Sequence, residues 1–521
     1  MTRLKLPIGI QTFSKLREDG CYYVDKTPLM LKLVEEGTHY FLSRPRRFGK
    51  SLLIDTLAEL FEGNEPLFRG LYAHERWDWS RRTPVIRLSF AEGVLHSRAD
   101  LDAKIEELLA ENETRLAASG AALSLSGRFS QLIRQAHALT GERVVVLVDE
   151  YDKPILDNLT RPEIAREMRD GLRNLYSVIK GQDAHIRFAF LTGVSKFSKV
   201  SIFSGLNNLN DITVDAEYSA LCGYTEHDLE TVFAPEVEGL DRDEIRRWYN
   251  GYNWTGESVY NPFDVLLLFQ KRQFRPWWFE TGTPRFLVDV LTERGYFTPN
   301  LAYRQTSLEL LSTFDVEQIN SDALLFQTGY LTIHKVEEPL TGYWVYTLGY
   351  PNHEVETSLN AALLIGYGVD GQCAFANRLQ LLRLLETGDR AGLHGLFDAF
   401  FASIPSDWFR NNPIARYEGY YASVFYSYFA ALGLDIVLED ASRGGRLDMA
   451  VRFKGQVYLF EFKVVELEPE GRALQQIKDR GYADKYRADG QPIHLIGVEF
   501  SRERRAVVGF EVETLTAGAI D

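Results

Sequence analysis

The chain has 521 residues, 45% of them hydrophobic and 25% charged, with a formal net charge of −15. That length gives two or three domains with proper cores. The acidic balance repels polyanions on average, so any nucleic-acid binding has to come from a local basic surface.

Three scattered cysteines, Cys21, Cys222 and Cys373, have no paired spacing for a disulfide framework or a zinc site and fit a reducing compartment. The first eleven residues hold no apolar signal core, and no stretch is long enough to cross a bilayer, so a cytoplasmic protein without membrane association is expected.

Up to about residue 225, short β-rich runs alternate with amphipathic stretches. His39–Ser43, Pro84–Phe90, Arg143–Val148 and Ile186–Leu191 read as buried strands, with helices over Leu52–Phe61, Leu101–Leu116 and Phe129–Leu139 between them. Alternating βαβ units predict an α/β fold, a parallel sheet with helices on both faces, and such sheets gather ligands at the carboxyl ends of their strands.

Three strand ends carry matching chemistry. The first runs into Ser43-Arg44-Pro45-Arg46-Arg47-Phe48-Gly49-Lys50-Ser51 and then a helix. In a phosphate-binding loop (P-loop), backbone N–H groups and a helix N-terminus surround the phosphates, a lysine reaches the terminal ones and a hydroxyl holds magnesium. Gly49, Lys50 and Ser51 fit these roles, and Arg46 and Arg47 add positive charge; Arg44 stands where the general pattern has glycine. The third strand ends in Asp149-Glu150-Tyr151-Asp152, where Asp149 is expected to orient the water shell of magnesium and Glu150 to polarise an attacking water. The fourth ends in Thr192-Gly193-Val194-Ser195-Lys196. Thr192 can sense a γ-phosphate there, although turn chemistry after a strand accounts for these residues nearly as well.

From Glu226 to His353, helices precede a hairpin over Ala323–Val336 and Gly342–Tyr350, a pattern that resembles a helical lid leading into a winged-helix module. Together with the opening Leu6-Pro7-Ile8-Gly9-Ile10-Gln11 and Tyr23-Val24-Asp25-Lys26-Thr27, several stretches of residues 1–353 are similar to the AAA-ATPase-like family. They include Asp149-Glu150-Tyr151-Asp152-Lys153-Pro154, Thr192 to Phe197, Trp248-Tyr249-Asn250-Gly251-Tyr252, Tyr260-Asn261-Pro262 and Thr328-Gly329-Tyr330-Leu331. The loop Arg44 to Ser51 resembles that family's version of the phosphate loop. The resemblance implies ATP as the ligand.

Residues 354–411 read as a helical connector, and a new domain, 412–521, opens near Asn411–Pro413. Its order is helix Ile414–Ala431, strands Leu434–Glu439, Arg446–Arg452 and Gln456–Lys463, helix Gly471–Tyr486, and strands Ile493–Phe500 and Ala506–Val512. Glu418 lies early in the first helix, Asp448 on one strand, and Glu461 and Lys463 on the next. Side chains two apart on a strand share a face, so Glu461 and Lys463 point together. Clustered carboxylates repel one another; a divalent cation relieves that cost while it polarises a phosphodiester and activates water, and Lys463 can then position the water or stabilise the developing phosphorane. An exposed edge-strand pair is disfavoured because Tyr458, Leu459, Phe460, Phe462 and Val464 surround the charges, as on a buried central strand.

This αβββαβ constellation resembles the PD-(D/E)XK nuclease superfamily, a restriction-endonuclease-like fold. Asp448 and Glu461-Phe462-Lys463 stand in the motif positions and Glu418 is the helix acid; Ala473-Leu474-Gln475-Gln476-Ile477 is similar to the version behind AAA-ATPase-like domains, with Gln476 as the accessory glutamine. The local charge agrees with a phosphate partner, since residues 441 to 490 hold ten Lys and Arg against eight Asp and Glu.

The expectation is an ATP-binding enzyme whose nucleotide state controls a Mg²⁺- or Mn²⁺-dependent nuclease, with DNA the substrate that the resemblance implies. The competing expectation is an ATP-switched module that binds nucleic acid or protein without cutting. Oligomeric state is not legible in the sequence.

Overall fold

The computed structural model describes residues 3–119, 124–196, 208–281, 287–288, 291–292, 298–312, 320–402, 418–442, 445–501, 503–504 and 506–515. The chain divides into two compact units, Met1–Thr281 with Tyr303–Asn352, and Gly282–Ala302 with His353–Asp521.

In the first unit, β1 (His39–Ser43), β2 (Val85–Ser89), β3 (Val144–Asp149), β4 (Ile186–Gly193) and β5 (Asn210–Asp211) form one parallel sheet in the order β2-β3-β4-β1-β5. β3 shows why the sequence takes this form. Val144-Val145-Val146-Leu147-Val148 is almost entirely β-branched, which suits a pleated strand, and all five residues are fully buried because helices cover the sheet. Helices Lys50–Phe61, Arg98–Arg115, Leu125–Thr140 and Pro162–Gly181 supply that cover. Two of them start at serine caps: Ser97 accepts from the Asp100 amide and Ser124 from the Gly127 amide.

The strand order positions the site. β4 lies between β1 and β3, with Ser43 opposite Gly193 and Val148 opposite Leu191. The phosphate-loop candidate, the strand-end turn and the acid pair therefore leave the same edge of the sheet side by side.

Three antiparallel strands follow in this unit, β6 (Arg304–Thr306), β7 (Thr332–Leu340) and β8 (Tyr343–Gly349), in the order β6-β8-β7. The expected hairpin is present, but its first arm is shorter than the sequence suggested. Ser321–Thr328 is a helix, capped at its start by the Asn320 side chain, which accepts from the Asp322 and Ala323 amides, and ended by Gly329 at φ 90°. The strand begins only at Thr332.

The second unit contains helices His353–Gly366, Gly371–Thr387, Arg390–Ala402 and Glu418–Ala430, then β9 (Asp435–Ser442), β10 (Gly445–Phe453), β11 (Gln456–Val465), helix Arg472–Asp479, β12 (Ile493–Ser501) and β13 (Ala506–Leu515). The sheet order is β13-β12-β11-β10-β9, with β11 and β12 parallel and the other neighbours antiparallel. Its core is aromatic. Phe397 and Phe425 meet at 4.4 Å between ring centroids, and Phe425 and Phe429 lie against Phe460 of β11 at 5.4 and 5.3 Å. The helix expected to run to Tyr486 stops at Asp479, where Gly481 turns the chain at φ 60° and a 3₁₀ turn over Asp484–Asp489 follows. No helix among the described residues is long and apolar enough to cross a membrane.

Candidate functional site

In the first unit the loop after β1 folds around the Lys50 ammonium. Lys50 is buried and donates to the carbonyls of Arg44 and Pro45, both at 3.0 Å. Arg47 and Gly49 adopt left-handed backbone, φ 70° and 93°, the kind of turn from which anion-binding nests are built. The N-cap of helix Lys50–Phe61 is Gly49 itself, which has no side chain to cover the first amides. Arg46 and Arg47 are exposed.

Phe48 packs edge-on to Tyr252 at 4.7 Å and Trp254 at 5.7 Å. The Trp278 indole, 6.3 Å from the Tyr252 ring, donates to the Arg46 carbonyl at 3.0 Å.

At the end of β3, Asp149 is buried. Burial pushes its carboxyl above the usual carboxylate range, and a hydrogen bond with Ser51 and the Lys50 charge oppose that rise. The helix hydroxyl and the strand acid therefore lie close together. Glu150, partly exposed, sits at φ 50° and donates its amide to Asp149 at 3.0 Å. A left-handed glutamate costs on the order of 1 kcal/mol, and the turn holds its carboxylate next to Asp149 in the chain. Thr192 is fully buried and its hydroxyl has no hydrogen-bond partner among the described residues.

Asp152 was not singled out from the sequence, yet it holds these parts together. Its carboxylate, pushed up to about 6 by burial, accepts from the Val194 amide (3.1 Å) and from the Ser195 amide and hydroxyl (2.6 Å each). The Arg44 amide in turn donates to the Gly193 carbonyl at 3.1 Å. Sequence reading offered only an acid near a strand end. Its partners lie over forty residues away, so no local pattern marks it.

In the second unit, β10 and β11 carry the acids. The antiparallel register pairs Met449 with Phe460, so the next step brings Asp448 opposite Glu461. Asp448 Oδ2 accepts from the Phe462 amide at 2.8 Å. Glu461 is 1% exposed. Its Oε1 accepts from Lys463 Nζ at 3.0 Å and from the Gln476 side-chain amide, while its Oε2 is buried without a hydrogen-bond partner among the described residues. Burial pushes the Glu461 carboxyl up, Asp448 adds to the rise, and Lys463 opposes it. Asp448, Glu461, Lys463 and Gln476 are therefore gathered at one place. Glu418 is the first residue of its helix, and its side chain lies outside the described residues.

Among the described residues no group of three or more His, Cys, Asp or Glu forms a metal site. Two carboxylates meet here, and the orphaned buried oxygen of Glu461 fits a cation: without one, a buried acceptor is left unmatched.

Glu499 and Gly497 on β12 were also missed. Glu499 is buried and accepts from four backbone amides: Glu470 and Gly471 at 2.5 and 3.1 Å, Arg472 and Ala473 at 2.7 and 3.3 Å. It closes the N-terminus of helix Arg472–Asp479, which carries Gln476. Gly497, opposite Glu461 in the register, lets that helix come close, since a β-carbon there would lie 2.3 Å from the Leu474 amide nitrogen. A signal for Glu499 did exist: it is an acid inside the apolar run Ile493–Phe500, the criterion that marked Glu461.

Comparison with known proteins agrees with this division. A family described as predicted AAA-ATPase, AAA-ATPase-like, matches residues 7–203, and the PD-(D/E)XK nuclease superfamily matches residues 416–510. The chain is also 69% identical, over 516 residues covering 99% of it and 100% of the relative, to a protein of Azotobacter chroococcum mcd 1 described as an uncharacterized protein in the vnfD 5′ region.

Proposed function

Because the chain belongs to the AAA-ATPase-like family and carries a C-terminal PD-(D/E)XK nuclease superfamily domain, we propose that it is an ATP-binding, metal-dependent nuclease whose nucleotide state regulates phosphodiester hydrolysis, with DNA as the substrate. The observation that carries the reading is Glu461. This buried carboxylate is held at one oxygen by Lys463 and Gln476, and its other oxygen has no hydrogen-bond partner among the described residues.

Asp448, Glu461 and Glu418 would hold Mg²⁺ or Mn²⁺. When bound, the cation polarises the phosphodiester and makes a water more acidic. Lys463 is a third exposed, so its remaining N–H donors are available to an attacking water or a phosphate oxygen. Gln476 fixes Glu461 Oε1 and so leaves Oε2 for the ligand.

In the other unit, Gly49, Lys50 and Ser51 would take the nucleotide phosphates with help from Arg46 and Arg47, and Ser51 and Asp149 would hold its magnesium. Glu150 is the base candidate for water attack. Thr192, whose buried hydroxyl has no hydrogen-bond partner among the described residues, would sense the γ-phosphate.

The test is cleavage of labelled single- and double-stranded DNA and RNA with Mg²⁺ or Mn²⁺, with and without ATP, by wild type and Lys463→Ala. Metal-dependent cleavage of DNA that is lost in the variant and altered by ATP supports the reading. Absence of cleavage under every condition would favour an ATP-switched binding module instead.

A further inference from the structure

Arg44 sits in the phosphate loop where the general pattern has glycine, and the chemistry proposed above does not use it. Its side chain is 0% exposed. Nη1 donates to the carbonyls of Ser43 and Thr213, both at 2.9 Å, and Nη2 to the carbonyl of Tyr218 at 3.1 Å. The guanidinium lies 3.9 Å from the centre of the Trp254 ring, and Nε has no hydrogen-bond partner among the described residues.

These contacts fill most of the donors but do not neutralise the charge. Among the described residues no carboxylate forms an ion pair with Arg44, and Asp211, the acid whose field reaches it, is itself paired with Lys196. Burial pulls the guanidinium down only to about 10, so it stays charged at neutral pH. Lys50 in the same loop differs: it too is buried and held by two carbonyls, but the buried carboxylates Asp149 and Asp152 lie within its field. A buried charge is normally paired. Arg44 departs from that rule among the described residues, inside the loop that leads into helix Lys50–Phe61.

We propose that Arg44 is a specificity-determining residue whose buried, unpaired charge is balanced by the polyphosphate of the bound nucleotide, so that the site selects its ligand by phosphate charge. The inference rests on the reading of Arg44 to Ser51 as a nucleotide phosphate site. Arg44 need not touch the phosphates, because a charge in a low-dielectric interior acts over several ångströms with little screening. Its fork to Ser43, Thr213 and Tyr218 fixes where that charge sits.

The experiment is calorimetric titration of the full-length chain with ATP, ADP, AMP and pyrophosphate, using wild type, Arg44→Met and Arg44→Lys. Arg44→Met should weaken ATP and pyrophosphate by about tenfold or more, and AMP by no more than about threefold. Arg44→Lys keeps the charge and loses the fork, so it should melt at a lower temperature yet hold its ATP-to-AMP affinity ratio within about threefold of wild type. Equal weakening of every ligand in Arg44→Met, or unchanged ATP affinity in that variant, would overturn the proposal. If Arg44→Met does not fold, Arg44→Lys decides: a collapse of its ATP-to-AMP ratio would sink the charge argument. A wild-type protein that binds none of the four ligands would instead refute the nucleotide reading itself.

Discussion

The carboxylate of Asp152 fills the space that a side chain at position 193 would need: a β-carbon built on Gly193 would lie 2.3 Å from Asp152 Oδ1 and 2.6 Å from the Tyr151 ring. Glycine there allows the end of β3 to close on the turn after β4, and that closure places the acid pair beside the proposed phosphate loop. Gly193→Ala should therefore lower stability by about 1–3 kcal/mol, the usual cost of overpacking a tight site, and weaken ATP binding in the protein that still folds. Urea unfolding and nucleotide titration measure the two effects. A variant with the wild-type urea midpoint would show that the turn yields and that Asp152 is not a rigid clamp.

Much of this was legible in the sequence, for reasons that differ by element. β3 and β11 were legible because dense apolar runs have few alternatives to a buried strand. Glu461 and Lys463 stood out because charges inside such a run need a reason to be there. The helix Ser321–Thr328 merges with the hairpin in the sequence because its apolar residues, Ala323 to Phe326, have neither a helical nor a strand period; only the caps at Asn320 and Gly329 separate it from β7. The contacts of Asp152 and Arg44 were not legible. They come from the order β2-β3-β4-β1-β5 and from segments over 40 and over 160 residues away, and a local pattern carries no such information.

Glu499 offers a way to separate support from chemistry in the second unit. It holds four amides at the start of helix Arg472–Asp479, and that helix presents Gln476 to Glu461. Removal of a buried charged acceptor leaves those amides unmatched, so Glu499→Ala should cost about 2 kcal/mol or more. Glu499→Gln should cost less, since one oxygen remains. If Glu499 acts through Gln476, then Glu499→Ala should weaken Mn²⁺ binding by about tenfold, as supporting residues of metal sites commonly do, and have little further effect in a Gln476→Ala background. Calorimetric Mn²⁺ titration of the two single variants and the double variant makes the comparison. Additive losses would show that Glu499 supports the fold without setting Gln476.

The ionisation of Glu461 gives the last test its sign. Its folded-state pKa is raised above the ordinary 4.5, first by burial and then by Asp448. A carboxyl raised in this way stabilises the fold when protonated, below its ordinary value, and loses that contribution as pH rises through the raised one. A cation needs the ionised form, so it competes with the proton. Mn²⁺ affinity should increase with pH up to the raised pKa and then level off, and the stabilisation by Mn²⁺ in thermal melts should grow in parallel. Lys463 opposes the rise, so Lys463→Ala should move the whole profile to higher pH. Asp448→Asn removes a like charge and a ligand together: the profile should move to lower pH while affinity falls by about a hundredfold or more, beyond the 10–100-fold typical of a merely supporting residue. Mn²⁺ binding that is independent of pH, or unchanged in a folded Asp448→Asn protein, would place the cation elsewhere.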